Sequence, residues 1–211
     1  MTRHLTDEPS RAILARQLAG GFVIGGHSIN HKNLRRASSA KIAHEIEGSI
    51  RELVPLVSRP IGLFRPPFGA LGHAGTRKLR ALGLTDVRWS IDTRDWQAND
   101  PARLQRNVLA MILKNSGGVV LMHDSQKITA TVITGVLDDL EAENCRRLAA
   151  GQPLIVPVSL HYFLTDRNAR RPLPAAVERR TEAYKHALPG RCASRPAKVN
   201  DAVNDSITIA K

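Results

Sequence analysis

Aromatic residues make up only 4% of this 211-residue sequence. The stacking platforms that grip single-stranded bases need more of them, so nucleic acid is not expected as a partner. No apolar run approaches the roughly 18 residues of a membrane span. The opening Met1-Thr2-Arg3-His4-Leu5-Thr6-Asp7-Glu8-Pro9 lacks the apolar stretch of a secretory signal. The expectation is a cytoplasmic chain as written, or an extracytoplasmic one if a lost N-terminus carried a signal. Cysteine is scarce: Cys145 and Cys192 stand far apart, in no metal-like spacing, and say little about redox compartment. Acidic residues are outnumbered, 19 against 31 lysines and arginines, for a net charge of +12.

Much of that charge is terminal. From Asp166 onward, prolines and basic residues are dense and large apolar residues few. Such a segment cannot bury enough surface to fold alone, so residues 166–211 read as a mostly disordered basic tail. A short helix over Ala175–Ala187 is compatible with the pattern. The tail is a solvated surface on one reading, and a patch for anionic cell-wall polymers, nucleic acid or lipid headgroups on the other. Residues 1–165 have the composition of a folded domain, since the whole chain is 42% hydrophobic and 24% charged.

Within that domain two periodicities alternate. Helical spacing marks Pro9–Ala19, Ser39–Leu53, Ala74–Leu82, a segment opened by Asp100-Pro101, and Ile128–Ala149. Asp100 is a capping carboxylate and Pro101 suits the first turn. Short apolar runs at Phe22–Ile24, Ile61–Phe64, Asp86–Ile91, Val119–Met122 and Leu154–Val158 predict strands. Strand and helix thus recur about five times, which predicts a parallel sheet with helices outside and right-handed crossovers.

In such folds functional groups collect where strands end. The expected strand ends are unusually polar: Gly26-His27-Ser28-Ile29-Asn30-His31, then Arg65-Pro66-Pro67-Phe68-Gly69, then Asp92-Thr93-Arg94-Asp95-Trp96, then His123-Asp124-Ser125. Taken singly each has a bland explanation. Two loop histidines four apart can both be solvated, and an arginine before two prolines can sit on a rigid turn. An aspartate before tryptophan can cap a helix. Four such groups at successive strand ends instead make an inventory for metal-assisted hydrolysis.

The segments GGHSINHKNL, FRPPFG, SIDTRDW and VLMHD, in that order between Phe22 and Leu164, resemble successive motifs of polysaccharide deacetylases with the NodB homology domain. The resemblance implies an α/β fold, a distorted (β/α) barrel. It implies hydrolysis of N-acetyl groups on a GlcNAc-containing polysaccharide of peptidoglycan or chitin type, so that an acetylated glycan is the expected partner. It also implies a divalent metal ion, zinc first, with cobalt, nickel or iron also suited. His27 and His31 match the two histidine metal ligands, and Arg65 the arginine that orients the catalytic aspartate. The backbone N–H of Phe68 would help hold the oxyanion. Asp95 matches the carboxylate that tunes the catalytic histidine, and His123 matches that histidine, the general acid. Trp96 and Leu121 match the walls of the acetyl pocket.

Elementary chemistry agrees with those roles. A divalent ion lowers the pKa of its water from ~15.7 toward about 7. One fixed N–H facing the oxyanion of a tetrahedral intermediate is typically worth ~3 kcal/mol. The departing amine leaves readily only when protonated, which an imidazolium beside a carboxylate does well.

One departure stands against these agreements. Members of the family begin with a strand ending in TFDDG, whose first aspartate is the general base and whose second is a metal ligand. Here 26 residues precede His27, none reads TFDDG, and the sole acidic pair, Asp7-Glu8, opens a helix. The expectation is a chain shortened at its N-terminus, an incomplete barrel of about five parallel strands with impaired catalysis. Two other functions compete: a small-molecule amidohydrolase acting on another C–N bond, and a non-catalytic carbohydrate-binding or adaptor remnant.

Overall fold

The fold, a computed structural model, is described for residues 5, 7–166, 169–170 and 173–195. Its first helix, α1 (Glu8–Ala19), is capped by the Asp7 carboxylate, which accepts from the Ser10 N–H at 2.8 Å. Only Leu14 of its expected apolar face is fully buried, and Ile13 is exposed. Helix α2 (Ser39–Val57) opens on a Ser38 cap and buries Ile42, Ile46 and Leu53. Pro55, expected to follow the helix, instead lies in its last turn, and Ser58 closes it with a left-handed backbone. The chain continues through β1 (Leu63–Phe64), α3 (His73–Ala81), β2 (Thr85–Asp86), β3 (Ile91–Asp92) and α4 (Pro101–Lys114). It ends with β4 (Val120–Leu121), α5 (Lys127–Ala149), β5 (Thr165–Asp166), β6 (Ala169–Arg170) and α6 (Ala175–Ser194).

The strands are short and pair in twos. β1 lies parallel to β2, β3 lies parallel to β4, and β5 and β6 form an antiparallel pair. The expected single strand Asp86–Ile91 is therefore two strands that serve different neighbours, joined by residues 87–90. Phe22–Ile24 forms no ladder. The pairing starts two residues later, where the Gly26 N–H donates to Leu63 O at 2.8 Å and the Arg65 N–H to Gly26 O at 2.9 Å. Gly26 is close enough to α2 and β1 that a Cβ there would lie 2.8 Å from Ile50 Cδ1 and 2.9 Å from Phe64 Cδ2. Leu154–Val158 is also not a strand. The Asn144 side chain of α5 occupies the place of a neighbouring strand, donating to Ile155 O at 2.9 Å and accepting from the Ile155 N–H at 2.8 Å. A side-chain amide carries the same donor and acceptor as a peptide group, which satisfies this segment without a ladder.

Three apolar clusters hold the layers together. Leu14, Leu53, Val57 and Ile61 join α1 to α2. Leu34, Ile42, Ile46, Phe64, Leu79 and Leu84 join α2, β1 and α3. The largest, with Ile91, Leu104, Val108, Ile112, Val132, Val136, Leu140 and Ile155, packs α4 and α5 over β3. Full burial of each such side chain contributes ~1.5–3 kcal/mol, so these clusters set the positions of the strand ends.

The segment after Asp166, read from composition as largely without structure, contains the ordered 20-residue helix α6. Its docking against α5 explains the difference. Leu188 is fully buried, Arg191 pairs with Glu141 at 3.0 Å and stacks over Tyr184, and Cys192 is bonded to Cys145 of α5. A helix that cannot bury enough surface alone is held by its neighbour, and composition does not register neighbours. Residues 196–211 of the expected tail lie outside the described residues. Among the described residues no helix is long and apolar enough to cross a membrane.

Candidate active site

Two clusters of polar side chains form where strands end. The first centres on the histidine loop. Ser28 and His31 both adopt positive φ, 66° and 54°, a backbone region that non-glycine residues occupy rarely and at a cost. Two buried side chains hold the loop in that form. Ser28 Oγ accepts from the His31 N–H at 2.9 Å. Glu45, on α2 and only 2% exposed, accepts from the Ile29 N–H at 3.0 Å, the Asn30 N–H at 2.8 Å and Asn30 Nδ2 at 3.1 Å.

That loop sets the two imidazoles with ring centroids 5.0 Å apart, edge to face. His27 Nδ1 lies 2.6 Å from Arg65 O. A carbonyl only accepts, so Nδ1 carries the proton and Nε2 is left with its lone pair. Burial holds the His27 pKa down at about 4, so the ring is neutral at pH 7. The Phe68 ring packs edge-on against His31 at 4.7 Å. Phe68 itself has φ 57° and sits in a tight turn closed by Gly69 N–H to Pro66 O and Ala70 N–H to Pro67 O. The half-buried Arg65 guanidinium lies 5.9 Å from the Trp89 ring centroid, and its Nε reaches Val87 O at 3.4 Å. Among the described residues no carboxylate pairs with it. Arg88 bonds to Gly69 O and pairs with Asp86. The first cluster therefore rests on residues 87–89, which lead directly into β3.

The second cluster is built on Asp95. After β3, Thr93 Oγ1 donates to Leu121 O of β4 at 2.7 Å. Arg94 turns the chain with a left-handed backbone, and Asp95 enters a 3-10 turn with no exposed surface. Asp95 Oδ1 accepts from His123 Nδ1 at 2.7 Å and from the Trp96 N–H at 3.1 Å. Oδ2 accepts from the His123 N–H at 2.6 Å and from Thr129 Oγ1. Burial alone would raise the Asp95 pKa. The bonds from Thr129 and His123 outweigh it and hold the group below the ordinary carboxylate range. An ionised Asp95 requires the proton on His123 Nδ1, so Nε2 faces other partners on a ring that is 35% exposed. Leu121 is buried beneath, while Trp96 and Phe68 are largely exposed.

The sequence reading gathered these residues into a single site; the structure sets His27, His31, Arg65 and Phe68 in one cluster and Asp95, Trp96, Leu121 and His123 in another. The sequence reading missed Glu45, Thr129 and Trp89. Glu45 left a signal, an acid on the apolar Ile42–Ile46–Ser49 face of α2. Thr129 left none, being one of several threonines in its helix.

Two stability measurements follow from these carboxylates. Glu45→Ala strands one buried and one part-buried N–H group at ~1–3 kcal/mol each, so a loss of ~2–6 kcal/mol is expected in urea unfolding. A loss within experimental error would show that the loop is held otherwise. The bonds from Asn30 and Ile29 likewise hold the Glu45 pKa low against its burial. For Asp95 and Glu45 the folded pKa is depressed. Their contribution is present above the unfolded values near ~4 and lost as pH falls through the folded values. Stability should decline below about pH 4, and Asp95→Asn should flatten that decline; an unchanged slope would contradict the low pKa.

The sequence profile of polysaccharide deacetylases matches residues 1–87. A peptidoglycan-N-acetylglucosamine deacetylase of Listeria monocytogenes is 28% identical over 131 residues, 62% of this chain and 27% of its own. Chitin deacetylase 1 of Saccharomyces cerevisiae is 33% identical over 54% of this chain and 40% of its own. The chain is similar in sequence to polysaccharide deacetylases over these segments. It spans between about a quarter and a half of these two relatives. A family 4 carbohydrate esterase of Streptomyces lividans, solved with acetate, shares the fold with a TM-score of 0.57 at 24% identity, over 64% of this chain and 69% of that one. A family 4 pseudoenzyme from Bacillus anthracis gives 0.58 at 21% identity, over 64% and 47%. The two parallel strand pairs therefore belong to a fold of the distorted (β/α) barrel type.

The family implies a divalent metal ion. A neutral His27 with Nδ1 occupied and a His31 beside it suit two ligand positions. Among the described residues there is no group of three metal-ligating side chains. The donor set fits two thirds of what a hydrolytic centre usually has.

Proposed function

We propose that this chain carries the ligand-histidine and general-acid portions of an N-deacetylase for GlcNAc-containing polysaccharides, with catalysis impaired because neither cluster holds a base among the described residues. The observation that carries the reading is the Asp95–His123 pair. A buried carboxylate saturated with four hydrogen bonds fixes the tautomer and aim of a half-exposed imidazole. An imidazolium so held donates from Nε2 to the departing sugar amine, which converts a poor leaving group into a neutral one. The Phe68 N–H is suited to the acyl oxygen, and Trp96 and Leu121 to the acetyl methyl. A divalent ion held by His27 and His31 would polarise the acetamide carbonyl. Residues 1–165 form the catalytic domain on this reading. The Cys145–Cys192 bond supports action in an oxidising compartment.

The test is acetate release from chito-oligosaccharide by the chain joined to a strand ending in the family's aspartate pair. His123→Asn should lower turnover by ~10²–10⁴-fold, and release indifferent to that change overturns the assignment. Metal binding supplies a separate check. Calorimetric titration with zinc should show weak binding that His27→Ala abolishes, because two imidazoles are fewer than the usual three ligands. Tight binding that survives the substitution would place the ligands elsewhere.

A further inference from the structure

The surface beside the histidine loop is basic without compensation. From His31 to His44 the sequence has Lys32, Arg35, Arg36 and Lys41 and no acidic residue, and none occurs from Arg65 to Thr85 on the neighbouring segment. All four cations are exposed. Elsewhere some cations pair with acids, Lys78 with Glu47, Arg88 with Asp86, Arg147 with Glu143, Lys185 with Glu182 and Arg191 with Glu141, so the patch differs in gathering several cations with no acid in either segment. Among the described residues Lys32, Arg35, Arg36 and Lys41 have no such partner. Three of them converge, since Arg35, Arg36 and Lys41 line an open cleft of about 410 Å³ with Asn33 and Ala37. The first turn of α2, which contains no acid, borders the same cleft with the positive end of its helix dipole.

The cleft connects to the candidate active site through the backbone. His31 meets the Phe68 ring edge-on, the Leu34 N–H donates to Ala70 O at 3.2 Å, and Arg35 lies against Gly72. The two segments thus run side by side from the imidazoles to the cleft. The four steps of chain from His31 to Arg35 span at most ~14 Å. Arg35, Arg36 and Lys41 line one cleft and repel one another there, a cost that an anion reduces. A guanidinium fork matches a carboxylate with two parallel hydrogen bonds. A neutral chitin-type chain offers hydroxyl and amide oxygens as acceptors but no charge to offset the cations.

We propose that this cleft is a subsite for carboxylate groups on the glycan, so that the substrate is an acidic N-acetylated polysaccharide rather than a neutral one. The proposal rests on the deacetylase reading and extends it to a substrate class.

The test compares two probes of equal length on the unaltered chain by calorimetry: a hyaluronan oligomer, which alternates GlcNAc with a carboxylate sugar, and a neutral chito-oligomer. Hyaluronan should bind about tenfold more tightly at low salt, since several exposed charge pairs add up to about that factor, and the advantage should shrink as salt rises. The variant R35E/R36E should lose it, and so should Lys41→Glu, whose circular dichroism melt serves as the folding control. Chito-oligomer binding with no hyaluronan advantage overturns the subsite and leaves the deacetylase reading standing. Binding of neither probe overturns both. Displacement of hyaluronan by inorganic phosphate at equal concentration, or equal affinity for duplex DNA, would mark a general anion surface and overturn the subsite.

Discussion

Acetate release by the 211-residue chain alone is expected to lie ~10²–10⁴-fold below that of the same chain supplied with an aspartate as base, because general-base catalysis contributes about that factor. Groups suited to protonating the amine and holding the oxyanion are present at His123 and Phe68. The group that takes a proton from the attacking water is not among the described side chains of either cluster. Arg65 registers the same gap from the other side, since its guanidinium rests on the Trp89 ring and the Val87 carbonyl rather than on a carboxylate. Adding a strand that ends in Asp-Asp-Gly should raise zinc affinity together with turnover, because the second aspartate completes the usual three ligands. The measurement is acetate released from chito-oligosaccharide with and without that strand. Turnover of the unaided chain at ~1–10³ s⁻¹, ordinary for an enzyme, would mean that another carboxylate serves as base. Asp124, exposed next to His123, is the first to replace by asparagine.

Breaking the bond between Cys145 and Cys192 is expected to cost about 4 kcal/mol. The bond closes a loop of 47 residues, and the chain-entropy relation assigns roughly that loss to the denatured ensemble of a loop this long. For a domain of this size that is a fall in Tm of ~8–16 °C. Cys192→Ser and a phosphine reductant should produce the same shift. The Glu141–Arg191 pair and the burial of Leu188 would then hold α6 to α5 unaided. Limited proteolysis in α6 should therefore rise on reduction, while the α4–α5 cluster stays protected. A Tm shift under about 2 °C would show that α6 is held by packing and that the bond adds little.

Local patterns alone determined much of this protein. Ile42, Ile46 and Leu53 recur at helical spacing, and that periodicity requires an amphipathic α2 whatever surrounds it. Asp100-Pro101 starts α4 because a capping carboxylate and a fixed φ act within one turn. His27, Arg65, Asp95 and His123 were each legible as polar residues that follow a short apolar run. The tertiary structure decided what depends on neighbours. A strand exists only where another lies alongside, so Asp86–Ile91 split between two partners and Leu154–Val158 paired with an asparagine side chain. Helix α6 is ordered because α5 covers it, and two cysteines 47 residues apart meet across that contact. Glu45 and Thr129 became functional supports only when folding removed them from water, since a carboxylate or hydroxyl holds a loop or an imidazole in place when nothing else can satisfy either partner.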